Sequence, residues 1–75
     1  MKALIEYLAR ALADHPEDVV VEEEHQGDRI VLHLYVNEDD KGRVIGRDGR
    51  CANAIRSLLH VASVRAGVRA TLSID

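Results

Sequence analysis

Two glycines, Gly46 and Gly49, interrupt a stretch that is otherwise patterned as helix. Ahead of them Asn37, Glu38, Asp39 and Asp40 are good helix-start residues, since acids complement free backbone N–H groups and the positive end of the helix dipole. A short helix over 38–44 fits. Behind them, residues 49–66 put Cys51, Ile55, Leu58, Leu59 and Ala62 on one apolar side, and Gly67 sits where a left-handed C-terminal cap belongs. Glycine has no β-carbon, so the pair lets the chain turn sharply between the two helices. It also leaves bare backbone where another molecule's backbone can come close.

The rest of the chain supplies a sheet for this corner to sit on. Residues 29–36 alternate, with Ile30, Leu32, Leu34 and Val36 on one face and Val31, His33 and Tyr35 on the other, as in a half-buried strand. Val19, Val20 and Val21 favour a strand that continues into Glu22, Glu23 and Glu24. Gln26-Gly27-Asp28 marks a hairpin turn between the two. A last strand alternates Ala70, Leu72 and Ile74 with Arg69, Thr71 and Ser73. The first helix carries Leu4, Ile5, Leu8, Ala11 and Leu12 on one face, and Pro16 biases His15 away from helical geometry, which ends that helix near Ala13 or Asp14. The order is helix, strand, strand, short helix, long helix, strand. It predicts an α+β domain of two layers, residues 1–75, with three helices on one face of a three-stranded sheet.

Composition narrows the function classes. Cys51 is the only cysteine, which fits a reducing compartment, and no apolar run reaches the roughly 20 residues that span a bilayer. The expectation is a cytoplasmic protein with no membrane contact. The net charge is −3, yet it is unevenly placed: Lys41, Arg43, Arg47, Arg50 and Arg56 against Asp48 alone make residues 41–56 +4, leaving −7 elsewhere. A compact basic site on an acidic body attracts a polyanion locally and repels it elsewhere. The histidines, His15, His25, His33 and His60, have no ligand spacing, and no catalytic pair assembles, so no metal, cofactor or enzymatic activity is expected. Cys51 reads as a structural thiol rather than a nucleophile. The side bearing Val31, His33 and Tyr35 is mildly apolar, and suits either a contact surface or scattered solvent-facing residues.

The chemistry concentrates in Gly46-Arg47-Asp48-Gly49. Amides at the start of the following helix favour an anion, and Arg47 at the tip, with Arg50 behind it, suits phosphate. The stretch 42–59, which reads Gly-Arg-Val-Ile-Gly-Arg-Asp-Gly-Arg-Cys-Ala-Asn-Ala-Ile-Arg-Ser-Leu-Leu, resembles the GXXG core of a KH domain, and the element order resembles the bacterial, type II arrangement α-β-β-α-α-β. The opening Met1-Lys2-Ala3-Leu4-Ile5-Glu6-Tyr7-Leu8 is similar to that of the small stand-alone bacterial KH proteins, the KhpA family.

The resemblance implies a groove holding about four single-stranded nucleotides, its backbone clamped by the GXXG loop. Carried over to this chain, Gly46, Arg47, Asp48 and Gly49 form the clamp and Val44 and Ile45 precede it. Ala52 and Ile55 line the groove floor, while Arg43, Arg50 and Arg56 add outer electrostatic contacts. With Tyr7 and Tyr35 the only aromatics, stacking is not the main source of affinity. Asp48 puts an acid where a phosphate must lie, which weakens binding unless its carboxylate turns away or caps the next helix. Cys51 stands where a larger aliphatic is more usual. The clamp does not test for a 2′-hydroxyl, so single-stranded DNA stays open as a ligand beside RNA. The resemblance further implies self-association, pairing with a larger KH protein, a role as RNA chaperone or post-transcriptional regulator, and a link to cell elongation and envelope control. The rival reading is a dimerisation module with little RNA affinity, favoured by Asp48, the acidic balance and the scarcity of aromatics.

Overall fold

The computed structural model describes residues 1–75. The first helix, α1 (Lys2–Leu12), forms because Ile5 and Ala9 lie one turn apart and both are wholly buried, with Leu8 and Leu12 leaning on the same core. It stops at Leu12, slightly earlier than Pro16 alone suggests, because Ala13 is already extended. A 3-10 turn, Pro16–Asp18, with proline at its first position, leads into the sheet.

Strands β1 (Val20–Gln26) and β2 (Arg29–Tyr35) pair antiparallel, Val20 opposite Tyr35 and Gln26 opposite Arg29. The tight turn between them rests on Gly27, whose φ of +64° suits a residue without a β-carbon. Strand β3 (Arg69–Ile74) adds on the other side of β2, parallel to it, giving the order β1-β2-β3. Parallel neighbours need a long crossover, and here it holds a 3-10 turn (Glu38–Asp40), α2 (Lys41–Ile45) and α3 (Arg50–Ala66). The helices cover one face of the sheet: α1 packs on β1, α3 on β3, and α2 touches both longer helices. The core draws on every strand and α-helix, through Ile5 and Ala9, Val21, Leu32 and Leu34, Val44, Ile55 and Leu59, and Leu72, with Val19 entering just ahead of β1.

The apolar side of α3 differs from the expected one. Its buried stripe is Ala52, Ile55, Leu59 and Ser63, whereas Leu58 is 48% exposed and Cys51 and Ala62 are half-buried. Adjacent leucines lie about 100° apart around a helix, so only one of Leu58 and Leu59 can face the sheet.

Asp40 is wholly buried. Its Oδ1 accepts the Asp14 N–H and its Oδ2 the His15 N–H, each at 3.0 Å. One carboxylate thus ties the exit of α1 to the entry of α2. Burial alone pushes this carboxyl up, but the two amide donors, with nearby His15 and Arg43, outweigh it and hold the group below its usual range. The folded chain therefore binds this proton less readily than the unfolded one. The resulting stabilisation is complete near neutrality and is lost as pH falls through the lowered pKa. Asp40→Asn keeps the size but loses one acceptor, and we expect its thermal midpoint at neutral pH to fall by roughly 5–10 °C. The difference from the parent should shrink on acidification below about pH 4, as followed by circular dichroism.

Candidate nucleic-acid interface

The corner between α2 and α3 is tightly built. Gly46 ends α2 with φ +77° and ψ 173°, a conformation nearly confined to glycine. A β-carbon there would lie 2.8 Å from Cys51 Sγ and 2.9 Å from both Cys51 Cβ and its backbone nitrogen. Position 46 is therefore fixed to glycine by torsion and by close packing together. Gly49 is left-handed (φ +76°, ψ 15°), with open space where a β-carbon would go except for Asn53 Nδ2 at 3.8 Å. Between them Arg47–Gly49 forms a 3-10 turn in which Asp48 is itself left-handed (φ +56°, ψ 25°). Aspartate is among the few side chains that tolerate this region.

The four residues are neither buried nor a continuation of ordinary helix: Arg47 and Asp48 are exposed, and Gly46 and Gly49 half-buried. Arg50 and Arg56 are exposed as well, and none of Arg47, Arg50 and Arg56 takes part in an ion pair, so three guanidinium groups stand free around the corner. Arg43 is different, because its Nη2 lies 3.0 Å from Asp14 Oδ2. The expected amide display is partly used up. Gly49 N–H donates to the Gly46 carbonyl at 3.2 Å, and Arg50 N–H donates to that of Arg47. Asp48 does not cap α3, which has no side-chain cap, so its carboxylate stays at the tip.

Of the residues assigned to the groove floor, Ile55 belongs to the core and Ala52 is 3% exposed, and Val44, ahead of the clamp, is a core residue as well, so all three present little side-chain surface beside the turn. The reason is the helix repeat: Ala52, Ile55 and Leu59 share the stripe that α3 presses onto the sheet. Ile45, 40% exposed and next to Gly46, is the apolar side chain that remains open beside the turn. The cavity of about 390 Å³ on the surface lies elsewhere, against Ala3, Glu6, Tyr7, Arg10 and Ala11 of α1.

Sequence reading missed Asp14 and Asp40, which brace the entry to α2. Asp40 looked like one of three equivalent helix-start acids, and only the tertiary path of the chain after α1 singles it out. His15, Glu17 and Asp18 each bring one potential ligand atom within 4.8 Å of the others. Their groups are already engaged locally: His15 faces Glu17 and Asp39, and Asp18 accepts from Asn37 Nδ2 at 2.9 Å.

An α-β-β-α-α-β domain whose second and third helices meet in a glycine-bounded turn with a basic tip is a type II KH domain. The chain belongs to the KhpA/KhpB KH-domain family, whose model matches residues 2–74. It is 45% identical over 74 residues to the RNA-binding protein KhpA of Halalkalibacterium halodurans, covering 99% of this chain and 97% of that one. It is 40% identical to the RNA-binding protein KhpA of Oceanobacillus iheyensis, covering 99% of each. Among solved structures, Aquifex aeolicus Era superposes with a TM-score of 0.69 at 19% identity, over 97% of this chain and 28% of Era. No helix is long and apolar enough to cross a membrane.

Gly46 and Gly49 should differ in their tolerance of alanine. Gly49→Ala meets only the torsional cost and is expected to destabilise by about 1 kcal/mol. Gly46→Ala adds a collision with Cys51 and is expected to cost about 2–4 kcal/mol, measured by urea unfolding.

Proposed function

We propose that this protein binds single-stranded RNA, holding a short segment of backbone against the Gly46–Gly49 turn. The observation that carries the reading is the exposed, unpaired Arg47 at the tip of a turn whose glycines admit close approach. Arg47 and Arg50 meet phosphate, and Arg56 extends the positive field along α3. Gly46 and Gly49 keep the backbone bare, and Ile45 offers a base the apolar contact that the sparse aromatics do not. Arg43 reaches RNA only by leaving Asp14. Asp48 lowers affinity, which suits brief contacts and a steep dependence on salt.

Support comes from kinship as well. The relatives named above are called RNA-binding proteins, and Era has been solved in complex with nucleotides of 16S ribosomal RNA. On this reading the protein acts in the cytoplasm without catalysis, as an RNA chaperone or post-transcriptional regulator. The tie to cell elongation and envelope control rests on the family resemblance. Single-stranded DNA fits the same clamp.

A second element of the reading is self-association, or pairing with a larger KH protein. Leu58, Val61 and Val64 are 48%, 56% and 64% exposed on the outer side of α3, more apolar surface than a free helix needs. A pair of domains would join two weak grooves and raise avidity without new RNA contacts. If the α3 face were the whole function, the chain would be a dimerisation module that ignores RNA.

Two variants separate these readings. Arg47→Asp should weaken binding of a short unstructured RNA by at least about tenfold in a low-salt gel shift, with the circular dichroism spectrum unchanged. Binding equal to the parent would remove the turn as the site. Val61→Glu should convert dimer to monomer in sedimentation, and lower RNA affinity only through the lost avidity.

A further inference from the structure

The helices cover one face of the sheet and leave the other open. On that open face the register lines up Val20 with Tyr35, Glu22 with His33 and Ser73, and Gln26 with Arg29 and Arg69. The surface is therefore graded along the strands. One end is apolar, with Val20 48% and Tyr35 39% exposed. The middle is acidic, with Glu22 and Glu24 from β1, and Asp75, just beyond β3 and level with Tyr35, reaches back to it through His33. Arg29 and Arg69 stand at the far end. His33 pairs with two of the acids: its Nε2 is 3.0 Å from Glu24 Oε1 and its Nδ1 3.3 Å from Asp75 Oδ2. Glu22 has no ion-pair or hydrogen-bond partner and stands diagonal to Tyr35.

We propose that this open face docks a cationic, arginine-rich segment of a protein partner, with Glu22, Glu24 and Asp75 meeting its charges and Tyr35 and Val20 its side-chain stems. The chain offers two acidic regions, and only this one has the apolar companions such a segment needs. The acids around the 3-10 turns, Glu17, Asp18, Glu38 and Asp39, face His15, Asn37 and Lys41. On the open face Glu24 is bonded to His33 and Gln26 and Asp75 to His33 and Ser73, which leaves Glu22 as the free carboxylate beside the ring. An aromatic ring beside unpaired carboxylate recognises arginine through its face and its charge together. The same acids repel nucleic acid, so a polyanion is the wrong occupant. The basic turn lies in the helix layer and the acidic face on the far side of the sheet. The domain can thus hold RNA and a basic protein segment at once, and the docking stands whether or not the turn binds RNA.

His33 makes the docking sensitive to pH. As imidazolium it occupies Glu24 and Asp75 from within and competes with the incoming cation. The groups facing it are Glu22 and Glu24 from β1, Tyr35 from its own strand, and Ser73 and Asp75 from the β3 side. The bond to Glu24, with a smaller part from Asp75, raises its pKa despite some burial, so the competing charge persists above the usual range. Docking should therefore tighten as pH rises through that titration.

The test is an isotope-resolved NMR titration of the full chain with an arginine-rich peptide of about ten residues, at roughly 0.15 M salt. Shifts should centre on Glu22, Glu24, His33, Tyr35 and Ser73 and leave 46–49 unmoved. Glu22→Gln with Glu24→Gln should weaken the peptide about tenfold, whereas Glu38→Gln with Asp39→Asn should change it less than about twofold. His33→Gln should flatten the pH dependence. Shifts centred on the 3-10 acids, or equal weakening by both double variants, overturn the proposal.

Discussion

A single buried carboxylate holds the helical layer in register. Only 13 of 75 residues are buried, and Asp40 is the one charged residue among them. After α1 the chain must turn away before Pro16, and at Asp14 and His15 two amides have no helical carbonyl to take them. Left unpaired in a packed region they would cost more than a typical hydrogen bond returns. Asp40 accepts both, and its own backbone leads directly into α2. The α1 exit and the α2 entry are consequently one joint, and the turn at Gly46 is placed by that joint at one end and by α3 at the other. The Asp14–Arg43 pair lies on the solvent side of the same joint, so a phosphate that draws Arg43 away acts on the brace itself.

Much of this architecture was legible because strands and helices impose different periods. The alternation from Ile30 to Leu34 appears directly as the inner and outer faces of β2, and Ala70, Leu72 and Ile74 line the inner face of β3. Gly67 closes α3 in the left-handed conformation (φ +72°) that its place in the pattern implied. Side-chain roles on α3 were harder to read. Leu58 and Leu59 are equivalent to a periodicity argument, and the choice between them depends on which way the helix rolls against β3. The same roll buries Ala52 and Ile55. Asp40 was hidden for a related reason: three consecutive acids look alike until a partner 25 or 26 residues away picks one of them.

The glycine-bounded turn shows how local chemistry and packing reinforce one another. Gly46 is required by its torsions, yet the closer constraint is Cys51, whose backbone nitrogen would touch any β-carbon placed there. A small thiol at 51 lets α3 begin directly against the end of α2. The residue that stands where a larger aliphatic is more usual thus packs directly against Gly46. Asp48 fits the same logic. The turn needs a left-handed residue before Gly49, and aspartate supplies it more readily than a β-branched or aliphatic side chain, at the cost of a negative charge among the arginines.

Charge segregation then follows from topology rather than from composition. The crossover joining two parallel strands must run over one face of the sheet, and residues 41–56, where the arginines cluster, belong to it. β1 is an edge strand whose alternate residues Glu22 and Glu24 point to the uncovered side, so the acids and the basic turn occupy different layers of so thin a domain. An acidic protein can in this way keep Arg47, Arg50 and Arg56 unpaired at one corner, although Lys41 and Arg43 are matched by Glu38 and Asp14. The net charge of −3 leaves residues 41–56 as the stretch where basic residues most outnumber acids.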